Sequence, residues 1–343
     1  MNNNIIKADL SNVLKAVKTL KKSGKYLPIL NTVQFRTDNK AVVTNLETRI
    51  EVKILSGSID TNFQMDFNDL ERMEKICHKD YYIKAYLNAE NKLMYKYYLT
   101  GIETEAFSNY PIANFPESLS CENREQILKL ESIEPLLTAR KYVSNDDTRK
   151  ALHGININTE SIVATNGKFL YVYNHCNNGI PPAFSKTIPV KDKYLNLFKK
   201  SKDIIISNIK CDTHDYCMIE SGIYTVLTKY IEDNYPNYKL VIPEKFDNKI
   251  ECIPVKQIES FLGIQPKDSN SFSYYDMNIL QPVFSIPEDK SNLFALGNKL
   301  LNIIMDSGFD SLKYNNQFSA IKFIKTSDNC NEYVIIMPWR PKF

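Results

Sequence analysis

The sequence is poor in the residues and patterns that announce an enzyme. Its 343 residues include four histidines, one tryptophan and ten glycines, and the formal net charge is only +3. His78, His153, His175 and His214 stand in no triad-like context. The phosphate-cradling pattern G-x-x-x-x-G-K-[ST] is missing, because Ser23-Gly24-Lys25 and Asn166-Gly167-Lys168 lack the upstream glycine. G-x-G-x-x-G, G-x-S-x-G, H-E-x-x-H and D-F-G are missing too. No apolar run approaches the roughly 18 residues of a spanning helix. The opening MNNNIIKADL lacks the basic-then-apolar order of a signal peptide, so a cytoplasmic protein is expected. Scarce glycine excludes a collagen-like chain, and 43% hydrophobic with 24% charged residues excludes a disordered one. A net charge near zero, taken alone, argues for no nucleic-acid partner.

Seven cysteines, at 77, 121, 176, 211, 217, 252 and 330, are odd in number and scattered, which reads as free thiols. Cys211-Asp212-Thr213-His214-Asp215-Tyr216-Cys217, with His175-Cys176 upstream, has zinc-binding residue types without the usual pair spacing. The surrounding IIISNIKCDTHDYCMIESGIYTVL reads as two β-rich stretches joined by a polar turn, with Cys211 and Cys217 at strand ends. Asp146-Asp147 in SNDDTR could ligate a metal, but loop acids more often form turns. No catalytic residue, cofactor or metal site is expected.

What the sequence does contain is a repeat. The i, i+3, i+4 apolar signature of a short amphipathic helix occurs at Leu10/Val13/Leu14, Met73/Ile76/Cys77 and Ile133/Leu136/Leu137. It recurs at Tyr194/Leu197/Phe198, Ile258/Phe261/Leu262 and Leu300/Ile303/Ile304. The steps between first members are 63, 60, 61, 64 and 42 residues. Between these helices lie short β-forming runs such as TVQFRT, AVVTNL, SIVATN, FLYVYN, YTVLTKY and EYVIIM, separated by polar turns. A unit of about 60 residues is small for a core of its own. Pairing the units predicts an α+β protein of three domains, 1–120, 121–246 and a shortened 247–343.

The charge is unevenly distributed over this repeat. Lys7 to Lys25 carries six lysines against Asp9 alone, with Lys15, Lys18, Lys22 and Lys25 off the Leu10/Val13/Leu14/Val17 stripe. Arg140, Lys141, Arg149 and Lys150 follow the third helix, and Lys199, Lys200 and Lys202 end the fourth. Cations at helix C-termini also suit the macrodipole, which accounts for any single cluster. Basic helix ends in successive repeats would form a positive track for phosphates if the fold brings them together. Residues 247 to 343 balance ten basic against eleven acidic residues and add little to such a track.

Six segments in order resemble the bacterial sliding clamp, the β subunit of DNA polymerase III. They are Leu27-Pro28-Ile29-Leu30, Thr44-Asn45-Leu46-Glu47, Asn114-Phe115-Pro116, and the block KYVSNDDTRKALHGININTESIVATNGKFLYVY at 141–173. Tyr235-Pro236-Asn237-Tyr238 with Val241-Ile242-Pro243, and Tyr333-Val334-Ile335-Ile336-Met337-Pro338-Trp339-Arg340, complete the set. The resemblance implies a three-domain clamp fold, each domain being two βαβββ-like halves, with antiparallel sheets outside and helices lining a central channel. It implies a head-to-tail homodimer that closes as a ring around double-stranded DNA, sequence-independently, and acts as a non-catalytic processivity factor in DNA replication. The DNA-binding residues would be Lys15, Lys18, Lys22, Lys25, Arg140, Lys141, Arg149, Lys150, Lys199 and Lys200.

The family also binds DNA polymerase and clamp loader through short peptides with Leu/Phe anchors. Carried over, that pocket comprises Leu152, Thr165, Gly167, Phe169, Leu170, Pro236, Leu240, Val241, Phe318, Ile335, Met337, Pro338 and Trp339. Phe169 and Leu240 replace common basic residues and Trp339 is bulkier than usual, which implies a smaller, more aromatic pocket. The 42-residue helix spacing removes roughly two strands from the third domain, half of the family's ring joint. The alternative is a clamp-derived protein that keeps the pocket as a monomer without closing. A metal-dependent nuclease using Asp146/Asp147 or the Cys211–Cys217 cluster is a third reading.

Overall fold

A computed structural model describes residues 3–20, 28–76, 82–90, 93–99, 102–107, 115–116, 123–175, 181, 183–211, 214–251, 272–276, 281–282, 293–297, 302–304, 306–316, 319–327 and 330–336. The chain divides into two compact units, interleaved in sequence. One comprises Met1–Ile133 and Ile188–Tyr230, the other Glu134–Thr187 and Ile231–Phe343. The stretch 121–246 contributes to both.

The first unit is built on an eight-stranded antiparallel sheet. Its strands run in the order Phe63–Asp66, Thr32–Arg36, Lys40–Thr44, Thr48–Lys53, Tyr224–Lys229, Asp215–Ser221, Ile204–Lys210, Asn123–Leu130. The sheet is a fusion of two four-stranded halves that come from distant parts of the chain. The seam between them pairs Thr48–Val52 with Tyr224–Thr228. Thr48 and Thr228 lie directly opposite, buried, with hydroxyl oxygens 3.1 Å apart. A second sheet of the unit has the order Asn3–Ile6, Tyr82–Leu87, Leu93–Leu99, Ile102–Phe107.

The second unit repeats the plan. Its sheet runs Ser185–Pro189, Gly154–Asn158, Ser161–Thr165, Phe169–Asn174, Cys330–Ile336, Ile321–Ser327, Ser311–Tyr314, Asn248–Glu251. Its seam pairs Phe169–Tyr173 with Glu332–Ile336. Tyr171 donates its hydroxyl to Glu332 Oε1 at 3.0 Å across that seam, and Lys325 Nζ lies 3.5 Å from the other carboxylate oxygen. A three-stranded sheet of Gln281–Pro282, Phe272–Asp276 and Leu293–Gly297 completes the described strands.

Five of these half-sheets share one logic, in which a three-strand meander takes its fourth strand from outside itself. The meander 32–53 takes Phe63–Asp66, 82–107 takes Asn3–Ile6, and 204–229 takes Asn123–Leu130. The meander 154–174 takes Ser185–Pro189, and 311–336 takes Asn248–Glu251. Helices connect the exchanged strands. Helix α1 (Lys7–Thr19) buries Leu10, Val13, Leu14 and Val17 as the sequence predicts, and α2 (Phe67–Ile76) buries Phe67, Leu70 and Met73. Helix α3 (Glu134–Ala139) is shorter and tightens into a 3-10 turn at Arg140–Tyr142.

The fourth predicted helix is a correction. Tyr194–Phe198 is a five-residue 3-10 turn, burying Tyr194, Leu195 and Phe198. One turn of apolar residues between lysine-rich flanks supplies too few intrahelical bonds to nucleate an α-helix. The i, i+3 geometry of 3-10 suffices to bury them, and the Tyr194 hydroxyl donates to the carbonyl of Pro189. Ile258/Phe261/Leu262 lies outside the described residues, and of the sixth signature residues 302–304 are helical, with Ile304 buried.

The cysteine cluster resolves into a hairpin. Cys211 follows the strand Ile204–Lys210, but Cys217 lies inside Asp215–Ser221, opposite Asn208, instead of at a strand end. Complete burial pushes its thiol up to about 12, the opposite of what a thiolate ligand needs. Among the described residues no helix is long and apolar enough to cross a membrane.

Asp9, on α1, is 2% exposed and accepts the backbone N–H groups of Leu55 (3.1 Å) and Ser56 (3.2 Å). It thereby fixes the chain leaving the strand Thr48–Lys53 to the helix. Replacing Asp9 by Ala leaves two partly buried donors unpaired. We expect a loss of about 2–3 kcal/mol, read as a lower urea midpoint at unchanged slope.

Candidate functional site

Residues of the expected peptide pocket that fall within the described set all belong to the second unit. The register of its sheet draws them together. Thr165 pairs with Leu170, Leu170 with Ile335, and Phe169 with Ile336. Leu170 and Ile335 are each 3% exposed and form one core cluster with Val163, Val172, Ala320 and Tyr333. Leu152 and Thr165 are also buried, so these positions form the floor under a surface.

The wall is the segment after the strand pair. Tyr235, Tyr238, Ile242 and Phe246 pack on the core cluster. The 3-10 turn Tyr238–Val241 is pinned by the Tyr238 hydroxyl, 2.9 Å from Ser161 Oγ, and by Lys239 Nζ, 2.7 Å from Glu160 Oε2. The turn leaves Leu240 81% and Val241 57% exposed. Two aliphatic side chains are thus held in water on a fixed scaffold, with Pro236 of the same segment also exposed. Phe318, Met337, Pro338 and Trp339 lie outside the described residues. Tyr238, Ile242 and Phe246 were not singled out as pocket residues. The only sequence signal for them is the spacing of aromatic and aliphatic residues around Pro236 and Pro243.

Gly167 sits on the turn joining Ser161–Thr165 to Phe169–Asn174, with φ +86°. Its N–H donates to Thr165 Oγ1 (3.1 Å), and Lys168 and Phe169 donate to Asn166 Oδ1 (both 3.0 Å). A Cβ on Gly167 would lie 2.5 Å from Arg149 Nη1. Arg149, expected among the DNA contacts, therefore reaches over that turn. Asp146 holds it there, accepting from Arg149 Nε at 2.9 Å. Asp146 also accepts from the hydroxyl (2.7 Å) and backbone N–H (3.1 Å) of Thr148. Among the described residues no cluster of three His, Cys, Asp or Glu side chains could hold an ion.

The first unit contains the same turn. Leu46 N–H donates to Thr44 Oγ1 (3.0 Å), and Glu47 (3.2 Å) and Thr48 (2.7 Å) donate to Asn45 Oδ1. Leu46 takes φ +76° where the twin turn has glycine. The surroundings differ. Where Leu170 faces Ile335 at the second seam, Arg49 faces Leu227 at the first. Arg49 Nε lies 3.1 Å from Glu51, which also meets Lys40 Nζ at 3.0 Å. Burial raises the Glu51 carboxyl, but Lys40 and Arg49 outweigh it and hold the group below its ordinary value.

Of the expected basic track, the first unit unites two clusters that are far apart in sequence. Lys15 and Lys18 are exposed on α1, and Lys199 and Lys200 are exposed just after the 3-10 turn Tyr194–Phe198. The end of α1 meets that turn, where Lys193 N–H donates to Thr19 O at 2.9 Å. Lys22 and Lys25 lie outside the described residues. In the second unit, Arg140 and Lys141 occupy the 3-10 turn after α3, and Lys150 is exposed beside Arg149. Lys141 Nζ reaches Ser307 Oγ at 3.3 Å.

No protein-family model and no curated protein sequence matches the chain. Solved structures do. A DNA polymerase sliding clamp from Pseudomonas aeruginosa superposes with TM-score 0.77 at 17% identity, over 99% of this chain and 100% of that one. The DNA polymerase III β subunit of Thermotoga maritima gives 0.75 at 15%, over 99% of each chain. A Helicobacter pylori β clamp, solved bound to a DNA ligase peptide, gives 0.74 at 15%, over 99% and 100%. The chain has the sliding-clamp fold, α+β with antiparallel sheets, as the repeat and the motifs predicted.

The Asp146 loop yields a test. The Thr148 hydroxyl, then Arg149, hold the Asp146 carboxyl down to about 2, below the roughly 3.9 of an unfolded chain. Its ionised form therefore favours the folded loop fully above the unfolded value, and that preference fades as pH falls through about 2. In a carboxyl carbon NMR titration, Asp146 should titrate near 2, and Thr148→Ala should move its midpoint upward.

Proposed function

We propose that the chain is a DNA sliding clamp, a non-catalytic processivity factor that encircles duplex DNA and tethers a polymerase. The observation that carries the reading is the end-to-end likeness to clamp structures, whose fold this chain shares over 99% of its length. In this reading it works as three domains, 1–120, 121–246 and 247–343, and the two seams are the joints between consecutive domains. Two copies would join head to tail by a third joint of the same kind. The exposed lysines of α1 and of the 194–198 turn, with Arg140, Lys141 and Lys150, would face phosphate. Contacts of that kind vary little from base to base and permit sliding.

The groove in the second unit would take the partner peptides. The Helicobacter pylori clamp carries a ligase peptide, and the fixed, exposed Leu240 and Val241 offer apolar anchors their counterpart here. With Phe169 and Leu240 in place of basic residues, the groove would favour a peptide richer in apolar than in acidic side chains.

One observation favours a second reading, a monomeric clamp-fold protein that binds peptides without closing. The sheet around Phe272–Asp276 has three strands among the described residues, and the pairing of that strand with Gln281–Pro282 spans two residues. Proline cannot donate to a ladder. A joint built on such an edge would be weaker than either seam within the chain.

Sedimentation of the full chain at micromolar concentration separates the two. The ring predicts twice the chain mass of 39.7 kDa, together with retention on nicked circular DNA that linearisation abolishes. A clean monomer that no circle retains would refute the ring and leave the second reading. The groove has its own test, fluorescence anisotropy with a labelled peptide carrying Leu and Phe anchors. Leu240→Asp should weaken binding about tenfold or more, the worth of one buried leucine contact, without changing Tm, because the side chain is exposed.

A further inference from the structure

Charge is placed on the groove face of the second unit in a way that folding does not explain. Cross-strand partners in an antiparallel sheet point to the same face. The register therefore sets Leu170, Ile335, Lys322, Lys313 and Lys249 in one row across adjacent strands. The row begins on the apolar floor and ends on lysines. Like charges directly opposite one another destabilise a sheet, and here the arrangement occurs twice in succession.

Lys322 is the lysine next to the floor. It is half-buried, and its Nζ stands 3.8 Å from the centroid of the Tyr333 ring. Tyr333 belongs to the same core cluster as Leu170 and Ile335. The ring holds the ammonium beside the floor, since a cation is drawn to an aromatic face. Burial, and after it the charge of Lys313, keeps that ammonium below its ordinary value. Among the described residues no carboxylate offsets this. The ion pair of the same two strands, Lys325 with Glu332, lies on the opposite face, because an odd step along a strand reverses the side chain. Lys313 is partly buried, and Lys249 is exposed at the outer end of the row.

We propose that Lys322 and Lys313 form an acid-binding end of the groove, which takes one aspartate or glutamate side chain of a docked peptide. The inference rests on the reading of this surface as a peptide groove, and it names the partner chemistry at one edge. Neighbouring strands lie about 4.8 Å apart, and an extended peptide advances about 3.3 Å per residue. The acid therefore stands about two or three residues from an apolar anchor seated over Ile335. Its carboxylate offsets two like charges that the free protein holds together. It also meets a lysine already fixed by Tyr333, so little ordering is left to be done on binding. One acid at the end of an otherwise apolar peptide satisfies the row.

The test is fluorescence anisotropy of the full chain with two rhodamine-labelled peptides, Glu-Ser-Leu-Ser-Phe-Ser-Glu and its isostere with glutamine at both ends. A glutamate at each end serves either direction of docking. The glutamate peptide should bind about fivefold more tightly, as one charge-assisted contact at a partly exposed site allows. Lys322→Met, which keeps an unbranched side chain on Tyr333, should bring the ratio to about one, and Lys313→Gln should lower it about twofold. Lys322→Met should leave Tm unchanged or higher, because a like-charge pair is relieved. If neither peptide binds, the groove reading and this inference fall together. If both bind equally, the acid-binding end is overturned, and the groove stands where Leu240→Asp still weakens both. A preference that survives Lys322→Met would overturn the proposal too. So would a Tm lowered by more than about 3 °C in that variant, because the lysine would then be serving the fold.

Discussion

The structure depends on the backbone ladder at its two seams. A four-stranded half-sheet ends in a strand whose N–H and C=O groups need partners. In each unit those partners come from a half-sheet encoded more than a hundred residues away, Thr48–Val52 with Tyr224–Thr228 and Phe169–Tyr173 with Glu332–Ile336. Each seam also buries a polar side-chain contact, Thr48 with Thr228 and Tyr171 with Glu332. Such contacts lose their partners if the strands slip, since a one-residue shift would turn every side chain to the other face. The seams therefore fix register as well as continuity, and the turns that flank them inherit their positions.

The twin turns show what a repeat does and does not conserve. Thr44–Thr48 and Thr165–Phe169 use the same threonine and asparagine side chains to satisfy the same backbone donors, and both need a left-handed residue at the third position. That much is local chemistry, legible as Thr-Asn-x-x in the sequence. What each turn faces depends on the residue one step into the next strand. Arg49 brings Glu51 and Lys40 into an ion-paired patch, whereas Leu170 joins Ile335 in the core beneath Tyr235 and Tyr238. A single apolar-for-charged difference at one register position separates an ion-paired patch from an apolar cluster.

Arg149 shows what the structure adds to a charge read along the chain. Its place in a basic run after the third helix suggested a phosphate contact. Asp146, three residues earlier, also holds the guanidinium beside Gly167, because a carboxylate already held by Thr148 is a fixed acceptor at the right distance. Lys15, Lys18, Lys199 and Lys200 are exposed, and the contact between α1 and the Tyr194–Phe198 turn gathers them in one unit.

By itself the sequence determined the local elements and their order. The α1 stripe, the short strands and the punctuating helical segments follow from side-chain periodicity and turn chemistry over a few residues. It misjudged Tyr194–Phe198, where the apolar spacing suits an α-helix but one isolated turn cannot nucleate it. Only the tertiary structure decided which strands meet at the seams, that Leu240 and Val241 stay in water while Leu170 and Ile335 sink beneath them, and that Leu46 stands exposed. Those outcomes rest on contacts between residues 77 or more positions apart. No local pattern encodes such pairings, because they form only when each half-sheet must satisfy the open edge of another.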